Sequence, residues 1–273
     1  MHGGHDIRTD IFKTIADRRV TAQILADASG VIAGIDEARA MAADIGILVL
    51  DAISTGSRLG SGDQIMKIQG TPMQIAMGED RLIGCLAKPS GIATMARRFV
   101  DQAADDLIIV SGAWKKMPIE LKPLIRNAAA AGGAEVRISR TPFIYLDKNY
   151  VRMFAGIENT LHSVSGLNGY RRVIQVCGQF ETVEGEAVLA AGLGADVIFI
   201  DTGNPDDISK VSQSLRDESY RSKVEVAFGS GVTLDMIEQL RHLDVDLVDV
   251  GRPIIDAPLL DMHLTVRDVT EIA

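Results

Sequence analysis

The sequence predicts an α/β protein in which a first region of short strands is followed by regular strand–helix alternation. Three observations carry this. Short, nearly continuous apolar runs recur from about Ile92 onward, helical patterns separate several of them, and many of the runs end in an acidic residue or a glycine. Apolar runs of that kind suit parallel strands buried on both faces.

The first ninety residues have a different rhythm. Runs at 23–26, 30–34, 45–50 and 64–68 read as small strands separated by turn-rich segments such as Ser54-Thr-Gly-Ser-Arg-Leu-Gly-Ser-Gly62, with a helix expected over 35–43. Seven candidate strands follow, at 107–110, 136–138, 143–146, 173–176, 197–200, 224–227 and 247–250. Helices are expected at 120–131, 181–191, 206–215 and 233–240, two of them announced by Pro205 and Thr233. This alternation fits a β/α barrel or a doubly wound sheet. The absence of G-x-G-x-x-G after the first of these strands favours the barrel.

Composition narrows the function. The 273 residues are 47% hydrophobic and carry 37 acidic against 28 basic side chains, a net charge of −9. That excludes a disordered chain and argues against general binding of nucleic acid. The run at 45–50 is too short to cross a membrane, so no membrane partner is expected. Two cysteines, Cys85 and Cys177, build no disulfide framework, and the Met-His-Gly-Gly-His start has no apolar signal core; both suggest a cytoplasmic protein.

In a β/α barrel, chemistry sits at the carboxyl ends of the strands. The residues at those positions are Trp114, Lys115, Arg137, Asp147, Lys148, Cys177, Asp201, the turn Gly229-Ser230-Gly231, and Gly251 with Arg252. Glycine turns after the last two strands allow backbone amides to approach a phosphate. Lys115, Arg137 and Lys148 are expected to form a basic patch, with arginine able to grip an anion through two hydrogen bonds. Asp201 closes a Val-Ile-Phe-Ile run, where its carboxylate either holds sugar hydroxyls, or Mg²⁺ through water, or caps the helix near Pro205. Cys177 reads as a nucleophile or as an inert buried thiol. His162 and His242 read as surface or core residues, and no H-E-x-x-H, C-x-x-C, Walker or G-x-S-x-G pattern is present.

An ordered series of motifs resembles one family along most of the chain. Ser90-Gly-Ile-Ala-Thr94 and the helix at 95–101 resemble the S-G-I-A-T segment of the quinolinate phosphoribosyltransferases, the carboxylating nicotinate-nucleotide pyrophosphorylases. Gly30-Val-Ile-Ala-Gly34 is similar to the family's G-x-x-A-G, and Ala113-Trp-Lys-Lys-Met-Pro118 stands where T-R-K-T-x-P is expected. Gly132-Gly133 with Arg137 matches G-G-G-x-x-H-R, and the segment from Phe143 to Tyr150 parallels V-L-I-K-D-N-H. Phe199-Ile-Asp201, Gly229-Ser-Gly-Val-Thr233, and Val250-Gly251 with Ala257-Pro258 and Asp261 follow the remaining motifs.

The resemblance implies an N-terminal α/β sandwich domain over 1–92, completed by about 258–273, and an incomplete barrel of about seven strands over 93–257. It also implies homodimers in which the N-terminal domain of one subunit covers the barrel mouth of the other. The implied reaction is transfer of phosphoribose from phosphoribosyl pyrophosphate (PRPP), with Mg²⁺, to quinolinate, followed by loss of CO₂. On this basis Lys115 and Asp201 are the expected catalytic residues, and Trp114, Arg137, Lys148 and Asn149 bind substrate. Gly229, Ser230, Gly231, Gly251 and Arg252 hold phosphate.

The departures are concentrated on the acceptor side. Trp114 replaces an arginine that grips a quinolinate carboxylate, Val136 and Tyr150 replace histidines, and Asp147-Lys148 inverts the family's Lys-Asp order. Gln175 and Cys177 stand where the family has glutamates serving PRPP and metal. Each lost charge-assisted contact is worth about 1.5–3 kcal/mol. The expectation is a divergent paralogue with an acceptor other than quinolinate. Other chemistry on the same scaffold is an isomerase, lyase or decarboxylase acting on a phosphosugar, or a nucleotide-binding regulator without turnover.

Overall fold

Alternation of buried and half-buried side chains along Arg18–Ala26 (β1) places Val20, Ala22, Ile24 and Ala26 on one face, as a sheet with one covered side requires. The computed structural model describes residues 6–271 and divides them into two compact units. The opening residues 1–5, read above for a signal sequence, lie outside the described residues. The first unit runs to Arg97 and includes Pro118–Gly133 and the chain from Asp256 on; the second comprises Arg98–Met117 and Ala134–Ile255.

In the first unit a short helix (α1, Arg8–Ile11) precedes β1, and β2 (Gly30–Val31) leads to α2 (Ile35–Ile45), β3 (Leu48–Ala52), β4 (Arg58–Leu59) and β5 (Gln64–Gly70). A long helix, α3 (Pro72–Ala103), follows, and α4 (Lys122–Ala131) also belongs to this unit. The final strand β12 (Met262–Glu271) pairs antiparallel with β1, giving the sheet order β12-β1-β5-β3. Its covered face packs Ile24, Met66 and Ile68 with Ala38 and Ala42 of α2 and Leu82 and Leu86 of α3. Full burial of each large side chain stabilises by roughly 1.5–3 kcal/mol.

Several readings of this region change: the strand expected at 23–26 begins already at Arg18, and the turn-rich segment 54–62 contains the short strand β4. The strand expected at 30–34 shrinks to Gly30–Val31, because the chain must turn at Gly34 (φ +84°) to begin α2. Ile45 belongs to α2, so the next strand starts only at Leu48. The helix expected at 95–101 is the end of α3, which begins at Pro72 and contains Pro89.

The second unit is a parallel sheet whose strands alternate with helices. Its elements are β6 (Ile108–Val110), β7 (Phe143–Leu146), α5 (Lys148–Met153), α6 (Ile157–Ser163), β8 (Arg171–Val176), α7 (Val183–Gly192) and β9 (Val197–Ile200). They are followed by α8 (Asp206–Asp217), β10 (Glu225–Phe228), α9 (Ile237–Leu240), β11 (Leu247–Asp249) and α10 (Arg252–Ile255). The order is β6-β11-β10-β9-β8-β7, all parallel. All four β9 side chains are buried, which accounts for its uninterrupted apolar sequence.

The sheet curls. Val110 of the edge strand β6 shares one buried cluster with Val173, Val197, Phe199, Ala227 and Leu247, and Phe143 and Tyr145 of the other edge strand, β7, pack against it. This is an incomplete barrel. The strand expected at 136–138 is reduced to one bridge between Val110 and Glu135. The chain bends away directly afterwards, leaving Arg137 exposed in the bend rather than at a strand end.

Candidate active site

The carboxyl ends of the barrel strands bring together Lys115, Tyr145, Lys148, Gln175, Asp201 and Asp249. Lys115 lies on a 3₁₀ turn, Ala113–Lys116, that follows β6, and its Nζ sits 4.8 Å from the centroid of the Tyr145 ring. Such a contact holds an ammonium by the negative face of the ring. Tyr145 in turn packs edge-on against Phe199, with ring centroids 6.2 Å apart. Burial, then the nearby Asp249, Asp201 and Asp147, keeps its phenol protonated well above the usual range, and its hydroxyl bonds Gln175.

Lys148 opens α5. Asp147 caps that helix by accepting from the Asn149 and Tyr150 amides at 2.8 and 3.1 Å, and the Lys148 amide donates to Gln175 Oε1 at 2.9 Å. This double tether aims the Lys148 side chain at Asp201, with Nζ 3.5 Å from Oδ2. The pair is partly exposed and worth no more than about 1 kcal/mol. Asp201 does not cap the following helix: α8 starts after Pro205 with no side-chain cap, and Asn204 Oδ1 accepts from the Asp206 amide instead. Asn149 is exposed at the start of α5.

Asp249, at the end of β11, had no place in the sequence reading, because that strand was extended to Val250 and the acid fell inside it. One of its oxygens, Oδ1, accepts from the Gly112 amide at 3.0 Å. Burial pushes its carboxyl above the ordinary carboxylate range; the Gly112 bond and Lys115 oppose this, while Asp201 adds to it.

The glycine turns after β10 and β11 are closely fitted. Ser230 (φ +78°) and Gly231 (φ +77°) are both left-handed, a strained arrangement for serine. Gly203 packs against this turn so closely that a Cβ there would stand 2.5 Å from the Ser230 carbonyl oxygen. Gly229 donates to the Ile200 carbonyl, which fixes the turn beside Asp201. Gly251 lies near Ala113, and Arg252 begins α10.

Trp114 is half-buried, and its Nε1 donates to the Val136 carbonyl at 3.0 Å. That bond ties the Lys115 turn to the bend carrying Arg137. Arg137 itself is exposed on that bend, and Lys115 and Lys148 flank Tyr145 and Asp201.

Cys177 is not activated as a nucleophile: burial, with Glu186 and Asp201 nearby, pushes its thiol pKa up. The amides of Cys177 and Gly178 donate to one oxygen of Glu186 and those of Gln179 and Phe180 to the other, at 2.7–3.0 Å. Glu186 is 2% exposed and thereby fixes the loop after β8. His162 is on α6, and His242 is exposed 3.5 Å from Glu238.

The fold and this site define an α/β protein with a sheet domain and a β/α barrel whose mouth carries lysines, carboxylates and glycine turns. The chain belongs to the quinolinate phosphoribosyl transferase family: the profile of that family's N-terminal domain matches residues 6–90 and the profile of its C-terminal domain residues 92–265. It is 27% identical over 270 residues to a probable carboxylating nicotinate-nucleotide pyrophosphorylase of Methanothermobacter thermautotrophicus, covering 97% of this chain and 94% of the relative. It is 26% identical over 250 residues to the human carboxylating nicotinate-nucleotide pyrophosphorylase, covering 89% and 81%.

Solved structures share the fold. The nicotinate-nucleotide pyrophosphorylase of Pyrococcus furiosus matches with a TM-score of 0.83 at 22% identity over 96% of this chain and 73% of that one. NadC from Streptococcus pyogenes matches with 0.81 at 19% identity over 99% and 93%. Among the described residues, no helix is long and apolar enough to cross a membrane.

Proposed function

We propose that this phosphoribosyltransferase takes its phosphoribosyl group from PRPP and passes it to an acceptor other than quinolinate. The observation that carries this reading is the charge balance of the mouth. Lys115, Lys116 and Lys148 are matched by Asp147, Asp201 and Asp249, and Lys148 is already paired with Asp201. A dicarboxylate gains little in a site whose cations are internally compensated.

The phosphate side is better provided. The Ser230–Gly231 amides and Arg252 serve the phosphates, and Lys115 and Lys148 neutralise charge developing on the leaving pyrophosphate. Asp201 holds ribose hydroxyls, Asn149 supplies a further polar contact, and Arg137 stands on the exposed bend beside the indole of Trp114, against which a flat acceptor stacks.

Asp201, a half-buried carboxylate beside Lys148, is the residue that would reach Mg²⁺ through water, the ion being carried largely by water and pyrophosphate oxygens. Bound there, the ion would offset negative charge on the leaving group. The family relationship also supports a homodimer in which the N-terminal domain of one subunit completes the mouth of the other, a point that sedimentation of the purified protein tests.

Pyrophosphate release from PRPP and Mg²⁺, screened against nitrogen heterocycles, tests the reaction. Lys115→Ala should lower release at least 100-fold, corresponding to about 2.7 kcal/mol of lost transition-state stabilisation. Unchanged release in that variant would remove Lys115 from the mechanism.

A further inference from the structure

We propose that Asp249 selects the acceptor, by accepting a hydrogen bond from an N–H of a neutral or cationic nitrogen heterocycle and by repelling a carboxylate at the same position. The inference rests on the phosphoribosyl-transfer reading above and adds the chemical class of the acceptor to it.

Its position is the first ground. A Cβ on Gly229 would stand 3.5 Å from the Asp249 Cβ, and Gly112, which donates to Asp249 Oδ1, is two residues before Trp114. Asp249 therefore lies beside the Gly229–Gly231 turn and against the backbone that leads into the Lys115 turn. With the donor's phosphate on the Gly229–Gly231 turn, as the proposed reading has it, the attacking acceptor atom comes close to this carboxylate.

Hydrogen-bond inventory is the second. An ionised carboxylate is acceptor-only, with about four lone-pair sites. Gly112 fills one on Oδ1, and Oδ2 accepts from no described group. A partly buried carboxylate oxygen without a donor is costly, and a ligand N–H removes that cost. Charge is the third. Lys148 is engaged by Asp201, while Lys115, which lies over the Tyr145 ring, and Lys116 act on Asp249 through charge and offset only part of it. A ligand carboxylate placed against Oδ2 meets like charge, whereas an amide or amino N–H meets an open acceptor.

Nicotinamide and nicotinate share one ring and differ in offering N–H or a carboxylate, so they separate these cases. The experiment is calorimetric titration of both, and of quinolinate, into the wild-type protein, Asp249→Asn and Asp249→Ser, each with and without PRPP and Mg²⁺. The wild type should bind nicotinamide at least tenfold more tightly than nicotinate. Both variants should erase or invert that preference, and Asp249→Ser should gain at least tenfold in quinolinate affinity while PRPP affinity moves less than threefold. Asn keeps an acceptor for the Gly112 amide, so its effect reports on charge rather than on folding. A wild type that binds nicotinate as well as nicotinamide, or neither, or a preference unchanged in both variants, overturns the assignment. Absence of PRPP binding with the amide preference intact would instead overturn the phosphoribosyl-transfer reading and leave Asp249 as the selecting residue.

Discussion

Glu186 accepts four backbone N–H groups from one loop while almost wholly buried, so its removal leaves donors that no water replaces easily. Glu186→Gln retains one good acceptor oxygen and should lower stability on the order of 2–3 kcal/mol by urea denaturation. It should also expose Cys177 to thiol reagents; an unchanged midpoint and an unchanged thiol reaction would contradict the role given to this carboxylate. Asp249 gives a second prediction, in which the sign matters. Burial raises its folded-state pKa, so the fold binds this proton more readily than the unfolded chain does. The group's contribution therefore favours folding most at pH values below the unfolded carboxylate's pKa of about 3.9, and is lost as pH rises through the raised folded value. Asp249→Asn removes that penalty and keeps the Gly112 bond. Its melting temperature should exceed the wild type's at pH 7.5, by a margin that shrinks toward pH 4. A variant less stable than the wild type at pH 7.5 would refute the burial argument. Neither residue stood out in the sequence. An acid in a helix's first turn, as Glu186 is, commonly serves only the helix dipole, and the loop it binds is adjacent only once β8 and α7 pack. That Lys115, Lys148 and Asp201 gather at one end of the barrel was legible because each follows a strand.

Local composition was informative for some elements and misleading for others. β9 was legible because four consecutive apolar residues, all buried, leave little else for Val-Ile-Phe-Ile to be. The first two-thirds of α3 were not, since Gly78, Gly84, Pro89 and Gly91 read as breakers, and tertiary packing overrides their poor helix propensity. Packing explains two of these glycines. A Cβ on Gly91 would stand 1.8 Å from the Pro258 carbonyl oxygen, and one on Gly78 would stand 2.7 Å from Ile47 Cδ1, whereas Gly84 faces open space. The two alanine substitutions should therefore act in opposite directions. Gly84→Ala should stabilise by roughly 0.5–1 kcal/mol through helix propensity alone. Gly91→Ala should destabilise despite the same propensity gain, because backbone rather than a flexible side-chain end must move. Thermal melts of the two variants decide this, and equal shifts would mean that α3 does not approach the 258 segment closely. The seventh barrel strand was over-read for a related reason: apolar Val136 and Ile138 suit a strand, but exposed Arg137 between them lies in a bend with a single bridge at Glu135.

At the scale of the whole molecule, an acidic chain has to bind an anionic donor through a small local field rather than through its net charge of −9. In the proposed reading that field comes from the left-handed turn at Ser230 and Gly231 and the lysines on Tyr145 and Asp201. That reading leaves no comparable surplus for a dicarboxylate acceptor. Family membership was legible in the ordered motifs because glycine turns and strand-end charges are backbone requirements of the fold. The acceptor was harder to read, since it depends on how far each lysine is neutralised by aspartates distant in sequence. The most direct test of the central claim is a calorimetric titration of the purified protein with PRPP and Mg²⁺, followed by quinolinate. The account predicts saturable PRPP binding and no heat from quinolinate beyond dilution. Quinolinate binding with turnover would contradict it, by showing that the balanced charges at the mouth do not exclude a dicarboxylate.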